Sequence, residues 1–178
     1  MEATPLPIDG ALEITLKEFR DDRGWFKESY AATRYHSAGI YDAFVQDNLS
    51  MSRRGVLRGL HGDPRMAKLV QVLGGSAYDV VVDVRATSPT FMRWCAVTLR
   101  AGEPTQIYIP AGCLHGFLAL EDATLLSYKQ TAEYDPSTEF AAAWNDPDLS
   151  IAWPLGGEAP ILSPKDAVNP TLRERGIL

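Results

Sequence analysis

The sequence is short of the residues that cross-link chains and gather metals. Its two cysteines, Cys95 and Cys113, form no Cys-x-x-Cys or finger-type spacing. A disulfide framework is excluded, and both are expected as small buried hydrophobes. Its three histidines, His36, His61 and His115, include no His-x-His pair, the spacing by which many β-barrel proteins converge ligands on one cation. No metal site is expected unless His61 and His115 meet in space, and His36, beside Tyr35 in a polar helical context, reads as surface. Basic residues are in deficit, 17 against 23 acidic ones for a net charge of −6, which speaks against nucleic acid or an anionic membrane as partner. No apolar run approaches the ~18 residues of a membrane span. Tyr78–Val84 is interrupted by Asp79 and Asp83. Met1 is followed by Glu2, Pro5 and Pro7, not by a basic and then an apolar stretch, so no secretory leader is expected and a soluble cytoplasmic protein is.

Against these absences stands enough apolar material for a core: 46% of the 178 residues are hydrophobic, which fits one domain over 1–178. The middle of the chain reads as short strands between Gly and Pro turns. Lys68–Leu73, Ala77–Arg85, Trp94–Arg100, Thr105–Pro110, Gly116–Leu120 and Thr124–Lys129 are strand candidates, with Gly74-Gly75 expected as a hairpin turn. Strands at this spacing predict an all-β sandwich or barrel. A helix is expected near Ala31–Ala38 and another near the C-terminus. The Pro-, Gly- and Asp-rich tail from Pro147 onward is expected to wrap the barrel, anchored by Trp144 and Trp153.

The charge is uneven. Between Leu49 and Tyr78, Arg53, Arg54, Arg58, Arg65 and Lys68 face only Asp63, a local +4 that leaves −10 for the rest. Within this island, Gly59 and Gly62 flank His61, and glycine lets backbone or ligand approach closely. One reading is a hairpin with its basic residues in solvent. The other is a histidine base beside an anion-binding arginine and a lysine that stabilises developing negative charge.

Arg58-Gly-Leu-His61, Lys68-Leu-Val and Ser88-Pro-Thr-Phe91 resemble the dTDP-4-dehydrorhamnose 3,5-epimerase family. So do Asp22-Arg23-Gly24 with Phe26 and Glu28, Gln46-Asp47-Asn48 with Ser50, and Ile109-Pro110 with His115-Gly-Phe117. Tyr134-x-Pro136, Trp144-Asn-Asp-Pro147 and Ile161-Leu-Ser-x-Lys165-Asp166 follow in the family's order. The resemblance implies an all-β double-stranded β-helix, a cupin-like jelly roll with a few short helices. It also implies a homodimer, no metal or organic cofactor, and a nucleoside-diphosphate 4-keto-6-deoxyhexose as substrate. C3 and C5 both flank the C4 ketone, so one enolate chemistry can serve both centres, with a base on one face and an acid on the other. By resemblance His61 is the base, Asp166 its partner, Tyr134 the acid and Lys68 the cation facing the enolate oxygen. Arg58 and Arg23 suit the diphosphate as planar forked donors. Phe26 matches a stacking position, Glu28, Gln46 and Asn48 nucleotide contacts, His115 a sugar contact and Lys165 a further binding position. Some of these are expected from a neighbouring subunit.

The chain departs from the family pattern beside the base. Most members continue Gly-Leu-His with Phe-Gln and a longer loop, whereas here Gly62-Asp63-Pro64 follows and Lys68 arrives early. Asp63 also brings a carboxylate toward a dianionic ligand. This leaves a 3-only or 5-only epimerase, or a different sugar nucleotide, as an alternative. A 3,4-ketoisomerase, against which Tyr134 speaks, and a non-catalytic sugar-nucleotide-binding jelly roll, which loss of the acid or base would favour, are the other readings.

Overall fold

A computed structural model describes residues Met1–Leu178. Its strands are β1 Glu2–Pro5, β2 Leu12–Thr15, β3 Glu18–Asp21, β4 Gly24–Lys27, β5 Gln46–Ser52, β6 Leu57–Gly62 and β7 Lys68–Gly74. They continue as β8 Ser76–Asp83, β9 Trp94–Arg100, β10 Thr105–Ile109, β11 Cys113–Ala119, β12 Thr124–Gln130 and β13 Phe140–Ala141. One helix, α1 Ala32–Ser37, lies where it is expected. The C-terminal helix is reduced to a single 3₁₀ turn at Asp166–Val168.

Two antiparallel sheets pack face to face as a jelly roll. The six-stranded one runs β1-β2-β10-β7-β12-β5 and the five-stranded one β13-β6-β11-β8-β9, while β3 and β4 form a separate hairpin. Alternation along the strands fills the space between the sheets. Val70, Val72, Ile107 and Leu126 from one sheet meet Ala77, Val81, Leu99 and Phe117 from the other. Val80, Val82 and Leu114 point to the opposite face and are covered by Ala142, Leu149, Leu172 and Trp153 of the C-terminal segment. Trp153 packs on this face as expected, its indole donating to the Trp144 carbonyl (2.9 Å). The Trp144 side chain is not part of the cluster, and the second tie comes from the Trp94 indole of β9, which donates to the Leu149 carbonyl (2.9 Å). Cys95 and Cys113 are free thiols packed in the core, and His36 is exposed.

One expectation is corrected. Gly74-Gly75 is not a hairpin turn, because β7 and β8 belong to different sheets. The turn carries the chain across the sandwich. Gly75 adopts φ +67°, and a Cβ there would stand 2.7 Å from the Thr124 hydroxyl. Glycine meets the demand for a left-handed corner equally well in a hairpin and in a crossover.

Candidate active site

β6 and β11 lie side by side in the five-stranded sheet with His61 opposite His115. The strands come unusually close here: a Cβ on Gly59 would lie 2.6 Å from the Gly116 Cα, and Gly59 has φ +140°. The glycines on either side of the histidines thus set how the two imidazoles face one cavity of about 280 Å³. That cavity is also lined by Arg58, Lys68, Tyr134 and Asp166, so six of the residues expected at the site converge.

His61 Nε2 lies 2.6 Å from Asp166 Oδ1. An ionised carboxylate only accepts, so Nε2 is the donor in this pair, which leaves Nδ1 as the nitrogen that can accept a proton in the neutral imidazole. Burial alone would raise Asp166, but hydrogen bonds from His61, Ser163 and the Gly59 backbone, with the charge of His61, hold it below the usual carboxylate range. Nδ1 lies 3.3 Å from Glu139 Oε1, so an imidazolium would sit between two carboxylates. His115 makes a second such pair, its Nε2 2.9 Å from Oδ2 of the fully buried Asp79, whose Oδ1 has no partner.

Burial pushes the Lys68 ammonium down to about 8, although Asp79, Glu139 and Asp63 pull it upward. Arg58 donates to the Ser52 hydroxyl (3.1 Å) and the Met51 carbonyl (3.2 Å), which fixes its guanidinium at the cavity wall. The Tyr134 hydroxyl donates to Glu139 Oε2 (3.3 Å), and its side chain is 53% exposed. Lys165 pairs with the same Glu139 and does not line the cavity.

Gln46 and Asn48 stand behind the cavity wall. Gln46 donates to Asn48 (2.9 Å), Asn48 donates to Gln130 (2.9 Å), and the Tyr134 backbone donates to Gln46 (2.8 Å). Arg23, Phe26 and Glu28 do not reach this cavity within the chain. Arg23 pairs with Asp21 (2.6 Å) and Glu28 with Arg34, while Phe26 and Glu28 line a separate cavity of about 290 Å³. Phe26 is 68% exposed on its hairpin.

Three contributors escaped the sequence. Tyr128 and Gln130 line the cavity and follow Leu126 with period two along β12, so strand alternation points to them. Glu139 has only its place shortly after Tyr134-x-Pro136 to mark it. Taken together, the site holds a carboxylate-backed imidazole, a buried cation and a phenol around a small cavity. That set can remove a proton from carbon, hold the enolate and return a proton.

The chain is similar to proteins of one family. The sequence model of the dTDP-4-dehydrorhamnose 3,5-epimerase family matches residues 5–174. A dTDP-4-dehydrorhamnose 3,5-epimerase of Pseudomonas aeruginosa is 46% identical over 169 residues, covering 93% of each chain. The dTDP-6-deoxy-D-glucose-3,5-epimerase of Legionella pneumophila, solved in complex with dTDP-4-keto-L-rhamnose, is 44% identical with a TM-score of 0.93, covering 99% of this chain and 96% of that one. A 3′-monoepimerase of Streptomyces bikiniensis, solved with dTDP-quinovose, is 37% identical with a TM-score of 0.90, over 98% and 91% of the two chains. With the fold, the motifs and the convergent site in accord, the chain belongs to the dTDP-4-dehydrorhamnose 3,5-epimerase family.

Proposed function

We propose that this protein inverts C3 and C5 of a dTDP-linked 4-keto-6-deoxyhexose by proton transfer through enolates, working as a homodimer. The observation that carries the reading is His61 backed by Asp166 at 2.6 Å in the same cavity as Lys68 and Tyr134. His61 Nδ1 removes the proton alpha to the C4 ketone, and Asp166 and Glu139 stabilise the imidazolium. The electron pair moves onto the ketone oxygen, where Lys68 meets the developing charge, an interaction worth about 3–4 kcal/mol in comparable sites. Tyr134 then delivers a proton to the opposite face. Arg58 takes the diphosphate.

The homodimer rests on two features. Arg23, Phe26 and Glu28 lie away from their own chain's cavity, where a neighbour's could receive them. In addition, β5 is an edge strand whose outward residues Leu49 and Met51 are 67% and 64% exposed, leaving an apolar strip to cover.

The test follows deuterium by NMR while the protein turns over dTDP-4-keto-6-deoxyglucose in D₂O. Label at both C3 and C5 of inverted product is expected, and no exchange at either carbon would sink the reading. His61→Asn is expected to slow exchange by about 10²–10⁴-fold, the usual worth of a general base. A single-centre epimerase is the second reading, favoured by the likeness to a 3′-monoepimerase and by the short Gly62-Asp63-Pro64 loop beside the base. It predicts label at one carbon only.

A further inference from the structure

The short segment after the base ends in a closed ring of hydrogen bonds. Asp63 is buried, 4% exposed. Its Oδ2 accepts from the Thr138 hydroxyl (2.6 Å) and from Arg65 Nη2 (3.1 Å), and its Oδ1 accepts from the Arg65 backbone (2.8 Å) and Nε (3.3 Å). Arg65 Nη2 closes the ring by donating to Thr138 Oγ1 (2.6 Å). The carboxylate that the sequence places near an anionic ligand is thus neutralised by Arg65 and fully engaged.

The ring fastens one end of the loop that carries Tyr134. The other end is fastened to the same segment: the Ala67 backbone donates to the Thr131 hydroxyl (2.8 Å), and the Thr131 backbone donates to the Ala67 carbonyl (3.1 Å). Asp63 is itself fixed, its carbonyl accepting from Gly112 (3.0 Å) and Met66 (3.2 Å). Glu139 follows Thr138 directly and meets both His61 Nδ1 and the Tyr134 hydroxyl at 3.3 Å. A shift at Thr138 therefore moves the proposed acid against the base.

The geometry points to Asp63, Arg65 and Thr138 as positioning residues that fix the face on which the enolate is reprotonated. This inference rests on the base and acid proposed above. Once the C–H bond is broken, the proton on His61 exchanges with solvent deuterium. The carbanion then takes a deuteron either from Tyr134, giving inversion, or back from His61, giving a C–D bond with retention. A well-placed acid favours the first outcome, and a loosened loop favours the second.

The experiment compares wild type, Thr138→Val and Thr138→Ser in D₂O with dTDP-4-keto-6-deoxyglucose, reading inverted product and deuterium retained without inversion separately by NMR. Valine keeps the shape of threonine and removes the hydroxyl. Inversion is expected to fall roughly 10- to 100-fold, the scale of loss that follows misplacement of a reacting group. Exchange with retention should persist and become the major event. Thr138→Ser should restore the wild-type ratio, and Thr138→Val should stay folded at the assay temperature with its thermal midpoint lowered by about 3–6 °C. Unchanged inversion, or loss of exchange and inversion in equal proportion, overturns the clamp. Should Thr138→Val not fold, Asp63→Asn is read by the same ratio, with the same shift toward retention expected. Absence of exchange in the wild type would instead condemn the base and acid assignment, and the clamp with it.

Discussion

Lys68, the cation proposed to meet the enolate, lines the cavity, yet burial has brought its ammonium down to about 8 against the upward pull of Asp79, Glu139 and Asp63. Only the protonated form can stabilise an oxyanion. The contribution of Lys68 should therefore be fully present well below pH 8 and be lost as pH rises through that value. The limb belongs in kcat/KM, which reports the free enzyme. In kcat it should move to higher pH, because the bound diphosphate and the enolate both favour the cation. Lys68→Met should lose about 10²–10³ in kcat and flatten the limb, which a pH series of initial rates on the two proteins checks. Most of this site was legible through the family resemblance. His61, Lys68, Arg58, His115, Tyr134 and Asp166 all carry motif neighbours, and all six meet at one cavity. Glu139 was not legible. Its role depends on a turn that brings it back to His61, and a lone glutamate in Ser-Thr-Glu-Phe carries no spacing that announces such a return.

At the scale of elements, the approach of β6 to β11 is what makes the site. Gly116 has no room for a side chain: a Cβ would lie 2.9 Å from the Arg58 carbonyl and 3.0 Å from the Leu60 side chain. Gly116→Ala must push the strands apart, and the cost is expected at about 1–3 kcal/mol, as for other overpacked interiors. Urea unfolding measures that loss. Turnover at a temperature where the variant stays folded should also fall, because His61 and His115 sit on the separated strands. The central strands could be read from sequence for a related reason. Val80-Val81-Val82 is buried on both faces, by the intersheet core and by the tail, and so stands out as an apolar run. The N-terminal elements gave no such signal. β3 and β4 are four residues each, largely exposed, and pair only with each other. Gly74-Gly75 misled because a local turn motif encodes a change of direction and not the sheet in which the next strand will pair.

For the whole molecule, the issue is whether one chain makes a complete site. His61, Lys68 and Asp166 occupy the chain's own cavity, whereas Arg23 and Phe26 stand on a hairpin that does not line it. If the hairpin serves the partner, a defect in the hairpin and a defect in the base can be separated onto different subunits. His61→Asn and a Phe26→Ala, Arg23→Ala double variant should each be nearly inactive alone. Unfolded together and refolded, they should recover roughly a quarter of wild-type activity. Half of the dimers formed at random are mixed, and by two-fold symmetry one of the two sites in each mixed dimer receives an intact base and an intact hairpin. Sedimentation of the same mixture should give a dimer throughout. Recovery at the level of the separate variants would mean that each chain's hairpin serves its own cavity or none. Recovery near a quarter would make the dimer the active unit, since the distance between hairpin and base is then set by the interface between the chains.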